Sequence, residues 1–180
     1  GIVIANLAKE LNHKLADGRI TKIAQTESDK LLLTIKKSIS SPEQKTIRTQ
    51  NRLVISVNPS LPLLYLTQEN QNAPLQAPTF CMVLRKHLNN CKINLIEQIG
   101  LERVLCMHLE HLNEMGDYCR KKLYIELMGK HSNIIFCDEN DQIIDSIKHI
   151  SALVSSVREV LPGRQYFIPN TLDKYDPLTI

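Results

Sequence analysis

Few residues of this chain have the type and spacing to do chemistry. Cys106-x-His108-x-x-His111 puts three ligand-type side chains within six positions. On a strand, Cys106 and His108 would share a face and His111 would lie beyond it. Structural zinc closes with four ligands at recognisable spacings, and a fourth has no obvious source here. A buried thiol with two rim histidines is the simpler reading. Asp138-Glu139-Asn140-Asp141 lacks the central Gly and the distant Glu of an EF-hand loop, so it reads as a polar hairpin turn. There is no Gly-x-Ser-x-Gly elbow, and no Cys has a His base marked by its local sequence. Neither phosphate-loop signature occurs. These readings assign no catalytic residue, metal or cofactor, and the expectation is a protein that is not an enzyme.

What remains is basic. Arg85, Lys86 and His87 are consecutive, Lys130-His131-Ser132-Asn133 offers donors at a bend, and Lys148-His149 follows a strand. Arg158 and Arg164 flank Leu161-Pro162-Gly163. Arg grips phosphate in a bidentate way, and Ser and Asn add neutral hydrogen bonds. Scattered basic turns are also ordinary solvated surface, and both readings stay open on the residues alone. The 180 residues carry 22 Lys and Arg against 19 Asp and Glu, a net +3 that permits a phosphate-bearing partner without demanding one. With three Phe, five Tyr and no Trp, few rings can stack on bases, so recognition would rest on charge and shape. Five cysteines, an odd number without a Cys-x-x-Cys pair, fit free thiols in a reducing cytoplasm. No apolar run approaches membrane-spanning length, so no membrane partner is expected.

The elements that must position these residues follow from periodicity. Ile2, Ile4, Leu7, Leu11 and Leu15 recur at helical spacing, and Asp17-Gly18 ends that helix by a left-handed cap at the glycine. Residues 19–25 and 30–36 read as strands joined by a polar turn, 37–51 as polar and turn-rich, and 52–58 and 63–67 as further strands. A short helix is expected near 80–89, then strands at 92–98, 103–109, 120–127, 133–137 and 142–147. A short helical piece is expected in 151–162, followed by an extended tail.

An internal echo ties the halves together. Arg19-Ile20-x-x-Ile23-x-Gln25 matches Lys92-Ile93-x-x-Ile96-x-Gln98 at an offset of 73 residues. Held at that offset, Asp29-Lys30 falls on Glu102-Arg103, and each copy follows a helix ending in Leu-Asn, at Leu11-Asn12 and Leu88-Asn89. Helix, strand, turn, strand occurring twice suggests a pseudo-symmetric domain with hairpins stacked face to face. The acid-base pairs at the second strands read either as solvated turn residues that discourage mispairing or as contacts to phosphate and base edges.

Several stretches resemble the N-terminal domain of the NFACT family, which includes fibronectin-binding protein A-like proteins and ribosome-associated quality-control factors. They include Gly18-Arg19-Ile20, residues 78–88 and residues 98–103. The more specific are residues 126–135, 145–149 and 155–163. The resemblance implies an α+β, β-rich fold, a pseudo-twofold β-sandwich with helices, similar to the N-terminal domain of formamidopyrimidine-DNA glycosylases. It implies an NFACT-N domain over 1–170 and, at 171–180, the start of a linker to a helix-hairpin-helix and coiled-coil region. It further implies a cytoplasmic RNA-binding module, with tRNA and the large ribosomal subunit carrying a stalled nascent chain as partners. Such factors recruit tRNA for alanine tailing of that chain. The family's Asp-Arg pair linked to tRNA binding falls on Glu102-Arg103, where Glu is one methylene longer. Arg85, Lys86, Lys130, His131, Ser132, Asn133 and Arg158 would extend the surface. Glycosylase chemistry is not implied, because the chain opens Gly1-Ile2-Val3 where those enzymes have a Pro amine and a Glu. A surface adhesin that binds fibronectin is the alternative.

Overall fold

The computed structural model describes residues 2–100, 103–151 and 158–168. The order along the chain is α1 (Ile2–Leu15), β1 (Arg19–Glu27), β2 (Lys30–Ser41), β3 (Gln44–Ser56), β4 (Leu63–Thr67) and α2 (Thr79–Leu88). Then come β5 (Lys92–Gln98), β6 (Val104–Leu112), β7 (Tyr118–Glu126), a single 3-10 turn (Gly129–His131), β8 (Asn133–Asp138) and β9 (Ile143–Ser146). All pairings are antiparallel, in one nine-stranded sheet of order β4-β3-β2-β1-β5-β6-β7-β8-β9. Among the described residues, the fold is β-rich α+β with two α-helices.

The two halves meet where β1 and β5 begin. Asp17 N donates to Ile93 O and Asn90 N to Ile20 O, at 2.7 and 2.8 Å. Ile93 N donates to Gly18 O and Ile20 N to Cys91 O, at 2.8 and 3.0 Å. Each pair interchanges under the 73-residue offset, which is the mark of a pseudo-twofold axis. Asp17 and Asn90 both take left-handed backbone, with φ of 71° and 64°. Short polar side chains tolerate that conformation because they bond locally. The left-handed residue is therefore Asp17 and not Gly18. Gly18 is needed for space: a Cβ there would lie 2.8 Å from Ile35 Cγ2 and 2.9 Å from Leu15 O.

The helices exchange partners across this axis. α1 packs on β5, and Asn12 Oδ1 accepts from Ile96 N at 2.9 Å. α2 packs on β1, and Arg85 Nε donates to Ile23 O at 2.8 Å. Asn12 and Arg85, like Ile23 and Ile96, are 73 residues apart. The helical echo thus aligns Leu15 with Leu88, not the two Leu-Asn pairs. The strands also bulge at matching places, after Ile20 and after Ile93.

The offset changes at the first turn. Gln25 faces Leu31, whereas Gln98 faces Leu105, so the second strands match at 74 residues. Backbone bonds agree, since Val57 N donates to Asp29 O and Leu127 N to Arg103 O. Arg103 therefore corresponds to Asp29, and the acid-base pairs do not superpose. One extra residue in the second turn is the reason. Glu102 lies outside the described residues, as do the tail from 169 and residues 152–157; of the 151–162 stretch where a helical piece was expected, the described residues 151 and 158–162 are not helical.

A continuous sheet of this width curls on itself. Leu33, Leu53 and Ile55 of the first half share one buried cluster with Leu105, Leu123, Ile134 and Phe136 of the second. Ile4, Ala8, Leu11 and Leu15 of α1 and Phe80, Cys81, Leu84 and Leu88 of α2 complete it. Lys148, just past β9, donates to Val57 O at 2.7 Å just past β3, so distant parts of the sheet touch. The two halves share this cluster and are joined through β1 and β5 in one sheet. On the other face of the second half, Val104, Cys106, Tyr124, Ile135, Cys137 and Ile143 pack beneath Val160 and Tyr166.

Residues 37–51 are not a turn-rich loop. β2 and β3 continue through them in register, from Lys36 opposite Gln50 to Ile39 opposite Ile47. Both faces are wet, so no apolar alternation betrays the strands. Gly18→Ala should destabilise the protein by about 1–3 kcal/mol, the range for forcing a methyl into a packed site. A lower urea midpoint at unchanged m-value would show it.

Candidate nucleic-acid interface

Arg103 sits at the bend before β6, exposed to solvent. Backbone fixes it from both sides: Ile99 N donates to Val104 O at 2.9 Å, and Leu127 N donates to Arg103 O at 3.0 Å. Gly100, with φ of +57°, supplies a left-handed residue for this turn. The bond to Leu127 brings the bend beside the turn after β7. There Gly129, also left-handed, starts the 3-10 turn, and Lys130 and His131 stand exposed. Arg103, Lys130 and His131 thus project from neighbouring turns at one end of β6–β8.

Other expected contact residues are placed differently. Ser132 and Asn133 are buried. Ser132 Oγ accepts from Met128 N at 2.8 Å and so closes the turn. Asn133 Oδ1 accepts from Ile134 N and Lys148 N, while its Nδ2 donates to Lys148 O. Both side chains are consumed in holding the bend, because a buried backbone N–H needs a partner. Lys148 is likewise turned to Val57 O, and burial lowers its pKa. Lys86 and Arg85 are exposed on α2, with the Arg85 Nε held by Ile23 O.

Arg158 is turned inward. Its Nη2 donates to Glu126 Oε1 at 2.5 Å and its Nη1 to Phe167 O at 2.8 Å. Tyr166 Oη donates to the other oxygen of Glu126 at 2.8 Å, and its ring stacks on Tyr124 with centroids 3.9 Å apart. Glu126 has no solvent exposure. Burial pushes its carboxyl up, and the Arg158 guanidinium beside it pulls the other way. A carboxylate within an apolar strand, Tyr124-Ile125-Glu126-Leu127, was the only sequence signal of this arrangement. It fastens residues 158–168 to β7, at the strand end next to the Arg103 bend, since Glu126 pairs with Val104.

The ligand-type residues also resolve. Cys106 is buried and its thiol is pushed up to about 12 by desolvation. Cys91 is raised to about 12 in the same way. Such thiols are poor nucleophiles at neutral pH. His108 Nε2 lies 2.5 Å from Glu97 Oε2 on the neighbouring strand. Among the described residues, no group of three His, Cys, Asp or Glu side chains could hold a metal ion. No helix among them is long and apolar enough to cross a membrane.

The chain is similar to known proteins in sequence and fold. The family model for the NFACT N-terminal and middle domains matches residues 1–180, and the chain belongs to that family. It is 40% identical over 179 residues to a Bacillus subtilis protein named Rqc2 homolog RqcH, covering 99% of this chain and 30% of that protein. A Streptococcus pneumoniae protein of the same name is 36% identical, over 100% of this chain and 31% of that protein. The chain thus spans about a third of the length of these relatives. Among solved structures, the N-terminal domain of fibronectin-binding protein PavA from Streptococcus pneumoniae matches with a TM-score of 0.81 and 33% identity, over 99% of this chain and 68% of that one. The fibrinogen binding protein from Staphylococcus aureus matches with a TM-score of 0.77 and 32% identity, over 98% and 59% of the two chains.

Two outcomes follow from these contacts. Glu126→Ala strands a buried guanidinium and should cost about 3–5 kcal/mol, the range for breaking a buried pair. Arg103→Ala should change stability by less than about 0.5 kcal/mol, as for ordinary surface positions; chemical denaturation of both variants checks the contrast. His87 gives the pH dependence. Burial, with Lys121, Lys86 and His111 nearby, lowers its pKa below 6.5. The unfolded chain then takes the proton first, so stability should fall as pH drops from 6.5 through the folded-state value. In His87→Gln, melts over that window should lose this component of the slope.

Proposed function

We propose that this chain is the RNA-binding front part of a ribosome-associated quality-control factor. Its partners in that role are tRNA and a large ribosomal subunit carrying a stalled nascent chain, in the cytoplasm. The single observation that carries the reading is the match along nearly the whole chain to proteins named Rqc2 homolog RqcH. The exposed Arg103, braced by backbone bonds and flanked by Lys130 and His131, is the surface that fits it. A guanidinium so held can grip a phosphate bidentately, at little further cost in backbone order. Glu102 is assigned the orienting role next to it. Arg85 and Lys86 on α2 extend the basic surface. The mechanism is recognition: the module makes and breaks no bond and takes no cofactor, and recruitment of tRNA for alanine tailing belongs to the longer protein. The two-copy architecture also supports a likeness in shape to the N-terminal domain of formamidopyrimidine-DNA glycosylases, without their chemistry.

The names of the solved relatives favour a second reading, binding of fibronectin or fibrinogen at a cell surface. In-cell crosslinking of the full-length protein separates the two. The first reading expects one tRNA type and large-subunit RNA to be enriched, and Arg103→Ala to reduce the tRNA yield at least tenfold. Surface exposure with saturable fibronectin binding and no RNA enrichment would replace it with the second.

A further inference from the structure

Among the described residues, the backbone of 37–51 pairs only within its own ribbon: Lys36 is the last β2 residue opposite β1, and Arg52 opens the pairing of β3 with β4. An isolated two-stranded ribbon is marginal in water. One face of it carries Lys36, Ser38 and Ser40 from β2 and Thr46, Arg48 and Gln50 from β3. The register pairs Lys36 with Gln50 and Ser38 with Arg48, and the Ser40 and Thr46 hydroxyls lie 3.3 Å apart. All six residues are exposed, all can donate a hydrogen bond, and none is acidic. These are the side-chain types that contact phosphate oxygens.

The face runs on into a row of three cations. Lys36 is directly opposite Arg19, and Arg19 is directly opposite Lys92 on its other side. Like charges in opposed positions destabilise a sheet. Asp17 answers Lys92 only at 3.6 Å, and Glu110, the next residue in the row, is shared with Arg120 at 3.6 Å. Arg19 gives one Nη to Asn90 O. Beside the row lies a cavity of about 340 Å³ lined by Arg19, Asn89, Asn90, Lys92, His111 and Tyr118, with Glu110 at its wall. The buried Nε2 of His111 finds no hydrogen-bond partner among the described residues.

The pseudo-twofold supplies an internal comparison. Lys36 corresponds to Glu110, so the ribbon corresponds to the β6–β7 hairpin. Residues 36–50 hold Lys36, Lys37, Lys45 and Arg48 against Glu43, whereas residues 110–120 hold Arg120 against Glu110, Glu114 and Asp117. One scaffold carries two hairpins of opposite charge, so the scaffold does not dictate the basic one.

We propose that the Lys36–Arg19–Lys92 row and the acid-free ribbon face beside it form a phosphodiester-tracking surface for RNA, separate from the Arg103 turn. This rests on the RNA-binding reading above. The test uses the full-length protein and a fluorescein-labelled folded tRNA transcript, with anisotropy followed across a range of about 50–200 mM salt. Lys36→Gln combined with Arg48→Gln should weaken binding about tenfold at low salt and flatten the salt slope by about 1–2, as loss of two phosphate contacts requires. Lys36→Arg with Arg48→Lys should retain wild-type affinity. Unchanged affinity and slope in the Gln pair, with Arg103→Ala still weakened, would overturn the ribbon surface and leave the broader reading standing. An equal fall in a Lys9→Gln, Lys30→Gln control would overturn it too, by showing a diffuse charge effect. A wild-type protein that fails to bind tRNA would overturn both.

Discussion

The exchange of backbone hydrogen bonds between residues 17–20 and 90–93 is the constraint on which the rest depends. It joins the two halves in one sheet, and it sets the axis about which each helix reaches over to the other half's first strand. Its geometry demands left-handed residues at Asp17 and Asn90, and packing against Ile35 and Leu15 requires a missing Cβ at Gly18. α1 packs on β5 and α2 on β1, so each half's first strand is covered by the other half's helix.

Symmetry at the centre leaves the periphery free to diverge. Asp29 and Arg103 occupy corresponding turns with opposite charge, and the two long hairpins differ in the same sense. Ser56 and Glu126 sit at corresponding ends of β3 and β7, but only the second recruits an arginine and a tyrosine to satisfy it. That carboxylate holds residues 158–168 over the second half alone. The twofold scaffold thus has one face of one half covered by a strap, and its turns carry the charge that distinguishes one end from the other.

Buried polar groups divide the basic residues into two classes. Lys148 and Arg158 spend their charge on internal acceptors, and the bend residues Ser132 and Asn133 close local backbone bonds. Arg103, Lys130, His131, Lys36 and Arg48 are left facing water. Sequence clusters mixed the two classes because spacing along the chain does not reveal which cation finds a partner 91 or 32 residues away, as Lys148 and Arg158 do.

The sequence by itself determined much of the element order, the helical stripe ending at Leu15, and the repeat at 19–25 and 92–98, because apolar periodicity and local turn chemistry are properties of neighbouring residues. It also placed Arg103 at the start of a strand and gave the family. It could not show residues 37–51 as strands, since a ribbon wet on both faces has no alternation to read. The 73-to-74 change of register, the inward turn of Arg158 and the opposition of Lys36, Arg19 and Lys92 were decided only in the tertiary structure. Each is a pairing between distant segments, fixed by hydrogen-bond register and by the need to satisfy buried polar groups.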